Sequence, residues 1–210
     1  MIMRNTLVAA CLVFAVSAQA TAARTPASQH SLENAPAAEA SRHTPADIFA
    51  DSIYDLQKFL NSKQARNPAA IKAYVMKNVR PLFDMQHMAM LAAGPYYKRM
   101  TPEQREAFVG RLEENFFKQF TRQLVNRSGK QPRIQFLKMR RNQSDKRVDV
   151  LSRVSYPNNR SQRVVLRFAD TPLGWRVYDV SADGHSAALY FRQYFSRQPK
   201  RGGGPERLLQ

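Results

Sequence analysis

The sequence predicts an α+β domain in which helices come first and an antiparallel meander follows. Apolar residues recur at helical spacing from about residue 45 to 127. From about residue 134 the period falls to two, and turn residues split the alternating runs into short neighbours. A last apolar run returns to helical spacing after Asp183-Gly184. At 210 residues the chain is long enough for one domain with a packed core, and it shows no internal repeat.

The first helix spans residues 45–60, where Ile48, Phe49, Ile53, Leu56, Phe59 and Leu60 share a face. Asn67-Pro68 opens the second, with Asn67 as N-cap and Pro68 at the first helical position. Its stripe is Ile71, Tyr74, Val75 and Val79, and Pro81 stops it. A third runs from about 84 to 93 through Met85, Met88, Ala89, Leu91 and Ala92, and Gly94-Pro95 ends it. Thr101-Pro102-Glu103-Gln104 is a capping box that opens a long helix over 102–127. There Phe108, Leu112, Phe116, Phe120 and Leu124 recur every fourth residue, a band wide enough for several neighbours or a bound apolar guest.

Ser128-Gly129 marks the change of period. Residues 134–139 read as a strand; Val148, Val150, Val154 and Tyr156 alternate with Asp149, Arg153 and Ser155. After the turn Pro157-Asn158-Asn159, Val164, Leu166 and Phe168 alternate with arginines, and Pro172-Leu173-Gly174 turns into a fourth strand. In that strand Trp175 and Val177 are expected on one face and Tyr178 and Val180 on the other. The closing helix carries Ala187, Ala188, Leu189, Tyr190, Phe191, Tyr194 and Phe195, with Ser186 as its cap.

The ends of the chain read differently. Arg4, an apolar run over residues 7–16 and Ala18-Gln19-Ala20 form a secretory signal over 1–20, too short to span a bilayer. Residues 21–44, rich in Ala, Pro and Ser, read as a flexible leader, 45–198 as the folded domain and 199–210 as a flexible basic tail. The single cysteine, Cys11, lies inside the signal, so no disulfide or thiol chemistry is expected after cleavage. Lys and Arg number 33 against 16 Asp and Glu, a formal charge of +17 that favours an acidic partner. An exported protein is an improbable nucleic-acid binder, which leaves anionic lipid or an acidic protein surface.

Catalysis has one candidate cluster, Asp179, Asp183, His185 and Ser186, but Asp183-Gly184 is explained by a turn and Ser186 by a helix cap. His30, His43, His87 and His185 lack metal-ligand spacing. Neither an enzyme, a metal site nor a cofactor is therefore expected.

Leu82-Phe83-Asp84 with Met88, Leu91, Gly94, Tyr97 and residues 101–108 resembles the first signature of the MlaC, or toluene-tolerance, family of periplasmic phospholipid-binding proteins. Residues 174–180, Gly-Trp-Arg-Val-Tyr-Asp-Val, with Gly184, Ser186, Arg192 and Phe195, resemble the second. The resemblance implies helices wrapped around a curved four-stranded sheet, with a deep apolar pocket between them. It also implies a periplasmic shuttle that carries phospholipid between an outer-membrane lipoprotein complex and an inner-membrane ABC transporter, maintaining outer-membrane lipid asymmetry. A hopanoid-associated subgroup makes a hopanoid an alternative cargo, and an adaptor without lipid is a further alternative.

A lipid pocket needs apolar, adaptable walls and no catalytic groups. With that fold, Phe83, Met88, Leu91, Phe116, Phe120, Val150, Val154, Leu166 and Tyr178 are candidate walls, and Tyr97, with Tyr96, a candidate mouth. Each would serve equally as plain core. Arg153, Arg163 and Arg167 are expected on the outer face of the sheet; with Lys130, Arg133, Lys138, Arg140, Arg141, Lys146 and Arg147 they suit transient contact with an anionic surface.

Overall fold

Helix α1 (Pro45–Leu60) begins with a reciprocal cap: the Asp47 amide donates to the Thr44 hydroxyl, and the Thr44 amide donates to the Asp47 carboxylate. A short 3₁₀ turn, Lys63–Arg66, leads to α2 (Pro68–Tyr74), whose Asn67 cap accepts from the Ala69 amide at 2.9 Å. Residues 44–126, 133–141, 146–156 and 160–196 are described in this computed structural model. The expected signal, most of the leader and the basic tail lie outside the described residues, as do Lys130, Ser128-Gly129 and the Pro157-Asn158-Asn159 turn.

The second helix is not continuous to Pro81. It ends at Tyr74, widens to a π turn over Val75–Val79 and tightens to a 3₁₀ turn over Arg80–Leu82. Pro81 has no N–H to return to the preceding turn, and its ring crowds the carbonyl four residues back, so the ladder shifts before it. Helix α3 (Met85–Ala93) is capped by Asp84, which accepts from the His87 amide at 2.9 Å. Gly94 then turns at φ +57 into a short helix, α4 (Pro95–Arg99), where the sequence suggested only a break. Helix α5 (Pro102–Asn126) buries the expected stripe of Phe108, Leu112, Phe116, Phe120 and Leu124.

Strands β1 (Arg133–Arg141), β2 (Arg147–Ser155), β3 (Ser161–Thr171), β4 (Gly174–Ala182) and β5 (His185–Ser186) form one antiparallel sheet in sequence order. The fifth strand exceeds the four expected. Asp183 and Gly184 both take positive φ, 48° and 84°, and this tight turn lets His185 and Ser186 pair back onto β4 before α6 (Ala187–Ser196) starts.

The core lies between the helices and one face of the sheet, where Val148, Val150, Val154, Val164, Leu166, Phe168, Val177, Val180 and Ala182 are buried. A bulge corrects the face assignment in β4. Phe168 pairs with Val177 and Leu166 with Val180, so Val177 and Val180 share the core face and Tyr178 is the extra residue. A second bulge places Leu137 outside the pairing of β1 with β2. Arg153 pairs with Arg163 and Arg167 with Asp179 on the opposite face, as the alternation predicts.

Candidate functional site

The feature that lies between helices and sheet is an apolar cavity. Ile48, Phe49, Ser52, Ile53 and Leu56 of α1 form one wall, and Leu166 and Phe168 of β3 with Val177 of β4 form the facing wall. Val79, Leu82 and Phe83 close one side, and Phe120 of α5 lies at the back. Ser52 is the only polar side chain in this lining, and its hydroxyl donates to the Ile48 carbonyl of its own helix. The walls therefore offer a guest hydrocarbon and almost nothing else.

The cavity measures about 40 Å³. A single water needs roughly 10–15 Å³, so the space holds a few waters' worth, not an acyl chain. Two buried side-chain atoms lack a hydrogen-bond partner among the described residues, Gln57 Nε2 on α1 and Ser62 Oγ just beyond it. A buried unsatisfied donor costs about 1–3 kcal/mol, less than the roughly 5–9 kcal/mol by which burial of Phe49, Ile53 and Leu56 holds α1 in place.

Of the ten residues singled out from the sequence, Phe83, Phe120 and Leu166 line this cavity. Met88, Phe116, Val150 and Val154 are fully buried in the surrounding core, and Leu91 packs against it. Phe83 packs on Phe116 and Phe117, with ring centroids 5.1 and 5.6 Å apart. Tyr97 sits on α4, where its carbonyl accepts from Arg105 Nε at 3.1 Å and the Arg105 guanidinium covers its ring. Tyr178 stacks on the His87 imidazole at 4.2 Å. Burial pushes the His87 pKa down, partly countered by Asp84, and burial likewise raises the Tyr178 hydroxyl. The α1 residues of the lining were legible only as the stripe of an amphipathic helix, which gives no sign of what they face.

The cluster considered for catalysis is occupied structurally. Asp179, 1% exposed, accepts from Arg167 Nη1 at 2.5 Å, from the Ser186 hydroxyl at 2.7 Å and from the Ala188 amide at 3.1 Å. Ser186 in turn accepts from the Leu189 amide, capping α6. Asp183 accepts from the Arg163 amide at 2.9 Å, and His185 is exposed. No imidazole stands between the serine and the carboxylate in this network, so it anchors a helix rather than activating a nucleophile. Among the described residues, no group of His, Cys, Asp and Glu is placed to hold a metal, and no helix is long and apolar enough to cross a membrane.

The two sequence signatures meet in space. Phe83 forms a parallel bridge with Val177, and the Asp84 amide donates to the Val177 carbonyl at 2.9 Å. Arg192 of α6 donates to the Leu91 carbonyl, with its Nε 3.0 Å away. A Cβ added at Gly94 would stand 3.1 Å from the Arg192 guanidinium carbon. The residues thus knit α3, β4 and α6 into the frame behind the cavity.

Comparison with known proteins agrees with this frame. The family model described as MlaC protein matches residues 50–210. The fold is similar to that of a phospholipid-binding protein from Ralstonia solanacearum, solved in complex with a phospholipid. The TM-score is 0.65 at 19% identity, covering 77% of this chain and 90% of the other. No curated protein matches the chain in sequence.

Proposed function

The chain belongs to the MlaC family, and from that premise we propose that it is a periplasmic carrier that encloses the acyl chains of a phospholipid. In this reading it shuttles the lipid between an outer-membrane lipoprotein complex and an inner-membrane ABC transporter. The observation that carries the proposal is the apolar cavity between α1 and the sheet, with one self-satisfied hydroxyl in its lining. The phospholipid held by the Ralstonia solanacearum protein of the same fold supports the choice of cargo.

The physical demand is large. Each methylene kept from water is worth about 0.8 kcal/mol, so two chains of about 30 methylenes together represent roughly 25 kcal/mol. Only near-complete enclosure meets that demand, and the space of about 40 Å³ must widen to provide it. Loading requires α1 to move off β3 and β4 while α3, α5, α6 and the sheet stay fixed. The contacts of the buried Asp179 and of the half-buried Arg192 hold that fixed part together.

The test is solvent extraction of the purified protein followed by mass spectrometry. Co-purified phospholipid near one per protein is the expected result. A sterol-like hopanoid would change the cargo and keep the carrier. Protein that yields no lipid, and moves none between donor and acceptor vesicles, overturns the reading in favour of an adaptor.

A further inference from the structure

The face of the sheet turned away from the cavity is cationic across β1, β2 and β3. In β2 the valines 148, 150 and 154 point into the core, so Asp149, Leu151 and Arg153 lie on the opposite face. The register puts Arg133, Lys138 and Arg140 of β1 there too, because they pair with Ser155, Leu151 and Asp149. Arg163 of β3 joins them opposite Arg153. All five cations are exposed.

Two observations point from this face to an anionic partner. Arg153 and Arg163 stand directly opposite each other in an antiparallel pair, and like charges so placed destabilise a sheet left in water. Among the described residues, none of the five cations belongs to an ion pair. The acid nearest to them in register is Asp149, which stands between Arg140 and Arg167. The repulsion is therefore relieved from outside the molecule or not at all.

The layout decides which anion fits. Arg133 to Arg140 covers on the order of 20 Å along β1, and three strands span about 10 Å across. None of the five lines the cavity or the surface hollows at α2–α5, α1–β1 and α1–α2. A discrete phosphate or a single acidic side chain would meet one or two of them. A plane of phosphates meets all five together, so the charge complementarity favours a lipid surface.

We propose that the outer face of β1, β2 and β3 is a docking surface for a bilayer that carries anionic phospholipids. The five side chains reach the phosphates, and α1 with its cavity stays clear of the bilayer on the other side of the sheet. The contact is peripheral and weakens as salt screens it. The inference goes beyond the carrier reading and does not depend on what the cavity holds.

The experiment is flotation of the purified protein with vesicles of phosphatidylcholine, alone or mixed with phosphatidylglycerol. Binding to the mixed vesicles at low salt, release at high salt and little binding to phosphatidylcholine alone are expected. Arg153→Glu sets opposite charges across β2 and β3, so the variant should be at least as stable in thermal unfolding. It should nevertheless bind the mixed vesicles about fivefold more weakly, and adding Lys138→Glu should bring the loss beyond about tenfold. Lys118→Glu, exposed on α5, makes the same change in net charge away from this face and should leave binding nearly unaltered. Equal losses in Arg153→Glu and Lys118→Glu overturn the proposal, since net charge alone would then explain binding. A parent protein that ignores the mixed vesicles also overturns it and leaves the face to an acidic protein. Lipid extracted from the parent and from Arg153→Glu reports on the cavity alone, so its absence sinks the carrier reading without touching the docking result.

Discussion

Removing the Asp179 carboxylate tests whether the frame behind the cavity is held as described. The side chain is 1% exposed and receives donors from Arg167, Ser186 and the Ala188 amide. In Asp179→Ala the Ala188 N–H at the start of α6 loses its acceptor, at about 1–3 kcal/mol for a buried orphan. The Arg167 side chain is 35% exposed and recovers water, so its share is discounted to at most about 1 kcal/mol. The expected total is about 3 kcal/mol, a fall in Tm of about 6–12 °C for a domain of this size. Asp179→Asn keeps one oxygen for the Ala188 amide and should lose about half as much. Ser186→Ala removes the cap and one of the three donors to Asp179 and should cost about 1–2 kcal/mol. Urea unfolding with matched m-values gives all three. Asp179→Ala within about 0.5 kcal/mol of the parent, or Ser186→Ala costing more than Asp179→Ala, would refute the idea that this carboxylate anchors α6.

Other consequences follow from single contacts. Gly94→Ala meets both a φ of +57 and the Arg192 guanidinium at 3.1 Å, so a loss of about 1–3 kcal/mol is expected in thermal unfolding. Phe49→Ala should lower stability by about 3–5 kcal/mol and, by removing part of the cavity wall, speed lipid exchange with vesicles. His87 takes a proton less readily folded than unfolded, because burial lowers its pKa from 6.5. Its contribution to stability is thus present above the unfolded value and lost as pH falls through about 6.5 towards the depressed folded value. His87→Gln should flatten that acid-side decline in denaturation curves measured between neutral and mildly acidic pH. Glu113→Gln breaks the Arg80 pair, whose arginine is 50% exposed, and should cost less than about 1 kcal/mol.

Much of the architecture was local information. The Asn67 and Thr101 caps, the four-residue stripe of α5, the alternation of β2 and β3 and the Ser186 cap each depend on residues a few positions apart. Periodicity and capping chemistry act at that range, so the helices-then-meander order needed no partner to be read. The wide apolar band of α5 also suggested several neighbours, and it does touch Phe83, Phe191 and Phe195 through its rings.

What the sequence could not decide involves pairs of distant segments. The bulge that turns Tyr178 out of line with Val177 and Val180 exists only in the register between β3 and β4. Whether Phe83 or Met88 borders empty space depends on how α1, thirty residues earlier, seats against β3 and β4, and the stripe of α1 is the same for a filled or a hollow interior. Apolar patterning sets which faces turn inward, because transfer from water is non-directional and needs no particular partner. A void is a mismatch of shapes between surfaces brought together by folding, so its place and its walls belong to the tertiary structure alone.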